Sequence, residues 1–309
     1  MNAKLEALKT QINTYFSGKE AITDNVLCCF LAGGHLLLED VPGVGKTTLA
    51  RTFARSLGLS FGRIQFTPDT MPSDITGLSI YDMKTGEFTY RPGAVAKNIV
   101  LADELNRTAP KTQSALLEAM AEGQVTVDNV IRPLPKPFMV IATQNPASFA
   151  GTYPLPEAQL DRFMIRLSIG YPDAASELRM VRDHMAGIVD NKAEAVVSES
   201  DIEVLINEAQ SVHISDLLLS YMQQIIDRTR TDPAFSLGAS PRALLHLIAI
   251  VRARAYIQGR DFATPDDVKH MAVPVLSHRL VLTTEMRLQK KSVSDLLGAM
   301  ILKIPVPME

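Results

Sequence analysis

The sequence predicts an α/β domain over residues 1–172, followed by a smaller helical domain over residues 173–309. Three observations predict this fold class. A short apolar strand at 36–38 runs into a Gly-rich loop and then a helix, the order found in a βαβ unit. A second apolar run, at 98–104, ends in two acids, which suits a central strand of a parallel sheet. After Tyr171-Pro172-Asp173 the apolar spacing is helical.

The composition excludes several classes of protein. Of the 309 residues, 46% are hydrophobic and 21% are charged, and the net charge is −3, so no general affinity for nucleic acids is expected. No apolar run reaches the roughly 18 residues of a membrane span, and the N-terminus is unlike a signal peptide. The two cysteines, Cys28 and Cys29, are neighbours in an apolar helical run, so we expect core thiols in a cytoplasmic protein.

In the first hundred residues, helices and strands alternate until an insertion interrupts them. We predict helices at 4–16, 19–32 and 46–57 and strands at 36–38 and 61–66. The stretch 67–97 is rich in Pro and Gly and breaks the alternation. Within it, Lys84-Thr85-Gly86 separates two short strands and predicts a hairpin.

The second half of the α/β domain resumes the core and adds another hairpin. Thr108 is the expected cap of a helix that has Pro110 in its first turn and ends at Gly123. Asp128-Asn129 predicts the turn of a second hairpin, over 124–136. The remaining elements are strands at 138–143 and 163–169, a short helix from 157, and helices at about 174–187, 200–210, 215–231, 241–258, 265–281 and 292–302.

The loop between the first strand and its helix has the features of a phosphate-binding loop. Gly43 and Gly45 allow the backbone to approach an anion, and backbone N–H groups at a helix start favour phosphate. Lys46 is expected to reach the β- and γ-phosphates of ATP, and the Thr47 hydroxyl to ligate Mg²⁺. The predicted nucleotide-binding residues are Gly43, Val44, Gly45, Lys46, Thr47 and Thr48.

One position departs from the strict G-x-x-x-x-G-K-[ST] pattern. Asp40 stands where that pattern has its first glycine. Because Asp tolerates the left-handed backbone region better than most residues do, we expect the loop to form in spite of the change.

Five further residues supply what ATP hydrolysis requires. Asp103, at the end of the central strand, is the candidate Mg²⁺ ligand, acting through water, and Glu104 is the candidate base that polarises the attacking water. Asn145 closes the next strand and can orient the same water or touch the γ-phosphate. Arg162 is a candidate arginine finger for a neighbouring subunit's nucleotide. Arg242 opposes the dipole at a helix start, and contact with phosphate would explain its place there.

The sequence leaves some roles open. Gln65 can restrain Glu104 as a switch residue, or it can be a buried, hydrogen-bonded glutamine. Arg91 and Arg107 can serve subunit contacts or nucleotide contacts. Whether Arg242 acts on its own subunit's nucleotide or on a neighbour's is undecided.

These segments together resemble the MoxR family of AAA+ ATPases. Residues 38–47, Leu-Glu-Asp-Val-Pro-Gly-Val-Gly-Lys-Thr, resemble its Walker A motif, which often carries the Asp-for-Gly variant, and 103–107, Asp-Glu-Leu-Asn-Arg, resemble its Walker B region. Other matching segments are 64–69 and 72–77 in the helix-2 insert, 142–146 at sensor 1, 155–163 at the finger, and 239–243 at sensor 2. The resemblance runs from about residue 20 to the C-terminus.

The resemblance implies a particular architecture and activity. It implies a five-stranded AAA+ sheet of order 5-1-4-3-2 flanked by helices, a helix-2 insert at 67–97, a hairpin at 124–136 facing a central pore, and an all-α lid. It also implies a homo-oligomeric ring, expected to be a hexamer, that uses ATP and Mg²⁺ for chaperone-like remodelling or maturation of protein complexes. A von Willebrand factor A domain protein is the implied partner, together with a protein client.

Two alternatives remain beside this interpretation. An AAA+ motor acting on DNA is possible, since the second hairpin carries Arg132 and Lys136, but it also carries Asp128 and the net charge is −3. A nucleotide-gated scaffold with little turnover is the other, and the presence of both Glu104 and Arg162 argues against it. A GTPase is disfavoured because no Asn-Lys-x-Asp motif occurs.

Overall fold

The computed structural model describes residues 2–16, 19–145, 152–171, 174–185 and 193–306. The helices in these ranges are α1 (Ala3–Tyr15), α2 (Glu20–Leu31), α3 (Lys46–Ser56), α4 (Pro72–Thr76), α5 (Pro110–Glu122), α6 (Glu157–Leu160), α7 (Ala174–Met185), α8 (Glu199–Gln210), α9 (Asp216–Thr231), α10 (Pro241–Ile257), α11 (Pro265–Leu276), α12 (Thr284–Leu288) and α13 (Val293–Ile301). The strands are β1 (Leu36–Glu39), β2 (Phe61–Gln65), β3 (Gly77–Asp82), β4 (Glu87–Pro92), β5 (Ile99–Asp103), β6 (Gln124–Val127), β7 (Val130–Pro133), β8 (Met139–Gln144), β9 (Ile165–Leu167), β10 (Phe235–Leu237) and β11 (Val281–Leu282).

A five-stranded parallel sheet forms the centre of the α/β part. Its strand order is β2-β5-β8-β1-β9. When only these five strands are numbered along the chain, the order is 2-3-4-1-5, which is 5-1-4-3-2 from the opposite edge, so the predicted topology is confirmed. The register pairs Gln65 with Asp103 and Glu39 with Gln144, so the carboxyl ends of four strands meet at one edge. In open α/β sheets this edge binds ligands.

The two faces of the sheet pack into two clusters. Alternation along β1 directs Leu36 and Leu38 to one cluster and Leu37 to the other. The first cluster also contains residues of α1, α2 and α3 and extends without interruption into the helices after residue 193. The second is covered by α5 and the insertion. The helical part therefore shares a continuous core with the α/β part.

Both predicted hairpins are present. Strands β3 and β4 pair antiparallel within the insertion, and β6 pairs with β7. Asp128 and Asn129 have φ angles of 53° and 60°, the two consecutive positive values of a type I′ turn. Each hairpin therefore forms a short two-stranded ribbon that is separate from the central sheet.

Several local predictions were incomplete or wrong. Thr108 does not cap α5, because Pro110 occupies the first helical position and leaves Ala109 as the N-cap. The predicted helix 265–281 ends at Leu276, and β11 pairs antiparallel with β10, so the helical part also contains a small ribbon. The short helices α4 and α12 were missed. The predicted domain boundary between 172 and 173 lies outside the described residues.

No helix within the described ranges is both long enough and apolar enough to cross a membrane.

Candidate functional site

A cavity of about 450 Å³ opens at the carboxyl edge of the sheet, where β1 leads into the phosphate loop. Gly43 and Gly45 have φ angles of 87° and 91°, values that side chains other than glycine rarely adopt, so the loop depends on glycine at both positions. The helix α3 begins immediately afterwards at Lys46. The cavity is lined by Pro42, Gly43, Gly45, Lys46, Thr47, Thr48, Arg63, Gln65, Asp103, Glu104 and Asn145.

The Lys46 side chain lies in this cavity near three carboxylates. Its ammonium group donates a 2.7 Å hydrogen bond to the backbone oxygen of Asp40. Partial burial lowers the pKa of Lys46, while the charges of Asp40, Asp103 and Glu104 act in the opposite direction. An ammonium group has three N–H donors, so Lys46 can keep its bond to Asp40 and still donate to a phosphate oxygen.

Asp103 is held on both carboxylate oxygens. The buried Thr143 hydroxyl donates to its Oδ1 at 2.7 Å, and the Arg63 guanidinium donates to its Oδ2 at 2.7 Å. Arg63 also donates to Gln65 Oε1 at 2.6 Å. Neither Arg63 nor Thr143 was identified from the sequence as a site residue. Arg63 and Gln65 are two positions apart on β2, and this strand alternation was the signal that could have revealed Arg63.

Glu104 has an unusual backbone conformation directly after β5. Its φ is 59°, in the left-handed region that few residues other than glycine occupy. Its N–H donates to Thr143 Oγ1 at 2.9 Å. The Glu104 carboxylate accepts from Gln65 Nε2 at 3.0 Å and from Arg107 Nη1 at 2.8 Å. The contact expected of a switch glutamine is therefore present, and Arg107 belongs to the same cluster. Arg91 is exposed on β4.

Asp40 does not use the left-handed backbone that we expected. Among the described residues other than glycine, positive φ angles occur only at Glu104, Asp128, Asn129 and Lys290. The Asp40 carboxylate instead accepts hydrogen bonds from residues after β9: Ser168 Oγ at 3.0 Å, Gly170 N–H at 3.1 Å, and Ile169 N–H. The reason that we gave for Asp40 is thus wrong, and its side chain has its own bonding role.

The two predicted phosphate-contacting arginines lie elsewhere, around Asp161. Among the described residues that line the cavity, neither Arg162 nor Arg242 occurs. Arg162 directly follows Asp161, whose carboxylate accepts from Ser240 Oγ at 3.1 Å and lies 3.8 Å from Arg242 Nη1. Ser240 is the N-cap of α10. The structure therefore places Arg242 beside the segment that carries Arg162, and it places neither arginine in the cavity lining that contains Lys46.

A buried arginine that the sequence did not reveal completes this group. Arg279 is 4% exposed and donates from Nε to Asp161 Oδ1 at 2.8 Å. It also donates to the backbone oxygen of Phe163 at 2.5 Å and to His246 Nδ1 at 2.6 Å. Burial, followed by the Arg279 charge, lowers the pKa of His246 to about 4. Arg279 thus binds the segment carrying Arg162 to the helical part.

The donor set at the cavity fits a nucleoside triphosphate with Mg²⁺. The positive φ angles of Gly43 and Gly45 would be strained for any residue with a Cβ. Because both positions are glycine, no side chain at either of them covers the loop N–H groups. The hard oxygen donors of Thr47 and Asp103, both lining the cavity, are of the type that Mg²⁺ prefers. Among the described residues, no group of three or more His, Cys, Asp and Glu side chains is placed to hold a metal ion.

Comparison with known proteins identifies the family. Residues 35–165 match the model of the ATPase family associated with various cellular activities (AAA), and 227–297 match the AAA lid domain. YeaC, an uncharacterized protein of Bacillus subtilis, is 46% identical over 298 residues, which cover 96% of this chain and 93% of YeaC. Chaperone MoxR1 of Mycobacterium tuberculosis is 40% identical over 288 residues, which cover 90% of this chain and 76% of MoxR1.

A solved structure is similar to this chain in both sequence and fold. The crystal structure of a proposed ATPase from Cytophaga hutchinsonii superimposes with a TM-score of 0.92 at 37% identity, covering 99% of this chain and 95% of the other. Both family models, the sheet order and the relatives named MoxR agree. The chain therefore belongs to the MoxR family of AAA+ ATPases.

Proposed function

We propose that the cavity binds ATP with Mg²⁺ and hydrolyses the γ-phosphate bond. The observation that carries this proposal is the meeting of Lys46, Thr47, Asp103, Glu104 and Asn145 around one 450 Å³ cavity. These residues come from two strand ends and one helix start, and hydrolysis requires all of their chemistries in one place.

Each residue has a distinct role in this proposal. The loop 43–48 binds the phosphates through its N–H groups, and Lys46 adds a positive charge. Thr47 and Asp103 would hold Mg²⁺, which supplies charge neutralisation on the phosphate oxygens when it is bound. Glu104 accepts a proton from the attacking water. Asn145, next to the cavity at the end of β8, orients that water or contacts the γ-phosphate.

We further propose that the catalytic unit is a homo-oligomeric ring, with six subunits as in many AAA+ ATPases. Support comes from Arg162, which does not line the cavity of its own subunit. In a ring it would contact a neighbour's γ-phosphate, where an arginine finger stabilises developing charge. Arg242 would contact phosphate from the first turn of α10 when the helical part moves over the loop.

The energy of hydrolysis is proposed to drive chaperone-like remodelling of proteins. One relative carries the name chaperone. The hairpin β6–β7 supports this choice because Val130 and Ile131 are exposed on it, Ile131 by 61%. Arg132, one of the two hairpin cations on which the DNA alternative depends, instead stacks over the Tyr90 ring at 3.7 Å from its centroid. The DNA-motor alternative is therefore not favoured, and a von Willebrand factor A domain partner stays a prediction.

Calorimetry tests the binding half of the proposal. We expect the chain to bind an ATP analogue that cannot be hydrolysed, and Lys46→Ala to weaken this binding at least about tenfold, since a charge-assisted hydrogen bond is lost. Lys111→Ala, an exposed lysine in the first turn of α5, removes the same charge away from the cavity and serves as the control. Equal affinities of all three chains would contradict the proposed site.

A further inference from the structure

Asp40 is bonded through all of its polar groups, each to a different part of the fold. Its N–H donates to Gln144 O at 3.3 Å, at the end of β8. Its backbone oxygen accepts from Lys46, and its carboxylate accepts from the segment 168–170. The residue is only 6% exposed. A buried carboxylate is stable only when it is well supplied with donors, and the Asp40 carboxylate takes three donors from the short segment 168–170.

The segment 168–171 is held from two sides. Asp40 accepts from the N–H groups of Ile169 and Gly170, while the Lys19 ammonium donates to the backbone oxygens of Ile169 and, at 2.8 Å, of Tyr171. This segment directly follows β9, and β9 packs against α11 of the helical part. The phosphate loop is thus connected to α11 by a chain of contacts that runs from Asp40 through the segment 168–170 to β9.

We propose that Asp40 is a positioning residue that connects the phosphate loop to the helical part through the segment 168–170. The inference rests on the proposed function, because it takes the loop to be the nucleotide site. Lys46 can donate to Asp40 and to phosphate together, so a bound nucleotide would be linked to Asp40 through the Lys46 ammonium group. Nucleotide binding then stiffens the loop, the segment 168–170, β9 and α11 in turn. A glycine at position 40, as in the strict motif, has no carboxylate to make this connection.

The substitution Asp40→Gly tests the proposal because it restores the strict phosphate-loop pattern. We expect nucleotide affinity, measured by calorimetry, to stay within about threefold of the natural chain. Hydrogen exchange is the second measurement. The Ile169 and Gly170 amides should exchange at least about tenfold faster without nucleotide, because each loses a charge-assisted hydrogen bond.

The decisive measurement is the response of α11 to nucleotide. In the natural chain, the non-hydrolysable ATP analogue should slow amide exchange in α11 by about threefold or more, and in Asp40→Gly this slowing should disappear. Lys19→Met is the matched control: it loosens the same segment from the other side but leaves the link from Asp40 intact, so its α11 should still respond. A full response of α11 in Asp40→Gly would overturn the proposal.

Other outcomes are equally informative. If the natural chain binds no nucleotide, the proposed function fails, whereas the nucleotide-free exchange of Ile169 and Gly170 still tests the Asp40 contact by itself. If Asp40→Gly does not fold, Asp40→Asn replaces it, since it keeps the side-chain shape and one acceptor oxygen. In that variant, the Ile169 and Gly170 amides should exchange faster than in the natural chain but more slowly than unprotected amides. Exchange rates equal to those of the natural chain would contradict the role of the carboxylate.

Discussion

The Arg63–Asp103 ion pair leads to a prediction about metal binding. Arg63 donates to the carboxylate that we propose holds Mg²⁺ through water, and the two atoms are 2.7 Å apart. A guanidinium and a divalent cation beside the same carboxylate repel each other. The substitution Arg63→Gln removes this competing charge and keeps a polar side chain of similar length. We therefore expect it to strengthen the effect of Mg²⁺ on nucleotide binding.

The size of the effect follows from the exposure of the pair. Two charges about 4 Å apart interact by about 4 kcal/mol near a protein surface. The Arg63 side chain is 44% exposed and that of Asp103 15%, so solvent screens much of this interaction. A net coupling of about 1–2 kcal/mol is reasonable for a charge-assisted hydrogen bond of this kind, and it corresponds to about a 5- to 30-fold change in affinity.

Calorimetry with a non-hydrolysable ATP analogue measures this coupling. The dissociation constant is determined with Mg²⁺ and with a chelator. The value with the chelator divided by the value with Mg²⁺ isolates the metal's contribution from any contact between Arg63 and phosphate. We expect the ratio to rise about 5- to 30-fold in Arg63→Gln. It should stay unchanged in Arg51→Gln, an exposed arginine on α3 outside the cavity lining. An unchanged or smaller ratio in Arg63→Gln would refute the reasoning.

Three further predictions concern stability and assembly. Asp161→Ala should lower the free energy of unfolding in urea by about 3 kcal/mol, because it leaves the buried Arg279 without its carboxylate. Burial lowers the pKa of His35 to about 4. As the pH falls, His35 is therefore protonated in the unfolded chain before it is protonated in the folded chain, and the contribution of His35 to stability should drop by about 2 kcal/mol between pH 7 and pH 5. In mixed rings, Arg162→Ala and Lys46→Ala chains should restore part of each other's ATPase activity.

Each of these predictions has a control or a contradicting result. Asp227→Ala removes a carboxylate whose partner Arg230 is exposed, and it should cost less than about 1 kcal/mol; an equal cost for Asp161→Ala would mean that burial does not matter. If His35→Gln unfolds with the same pH dependence as the natural chain, His35 is not the group responsible. An absence of ATPase activity in rings shown by native mass spectrometry to be mixed would count against Arg162 acting in trans.

The fold was predictable because its signals are local and periodic. Apolar runs and turn residues indicated the core strands, and the Gly-rich loop marked the start of α3. The order of the sheet came from the family resemblance. What was missed depends on tertiary context. Nothing in the local sequence distinguishes a helix 265–281 from a helix that ends at Leu276 and is followed by β11, which forms only because β10 is there to pair with it.

The site was predictable where residue types have few other uses, and less so where they have many. Lys46 and Glu104 stand in motifs whose chemistry is specific, and the structure places both at the cavity. Thr143 in a strand and Arg279 after a helix are ordinary residues there, and only the fold gives them partners. Asp40 was noticed for the right reason, its departure from the pattern, but the three donors to its carboxylate lie in a segment about 130 residues away.

Glu104→Gln provides the most direct test of the central claim that this cavity hydrolyses ATP. The amide keeps the shape of the side chain but cannot take a proton from water. With Mg²⁺ present, we expect the variant to bind ATP within a few-fold of the natural affinity, while release of inorganic phosphate falls at least about 100-fold. Phosphate release at near-natural rates from the variant would contradict the account.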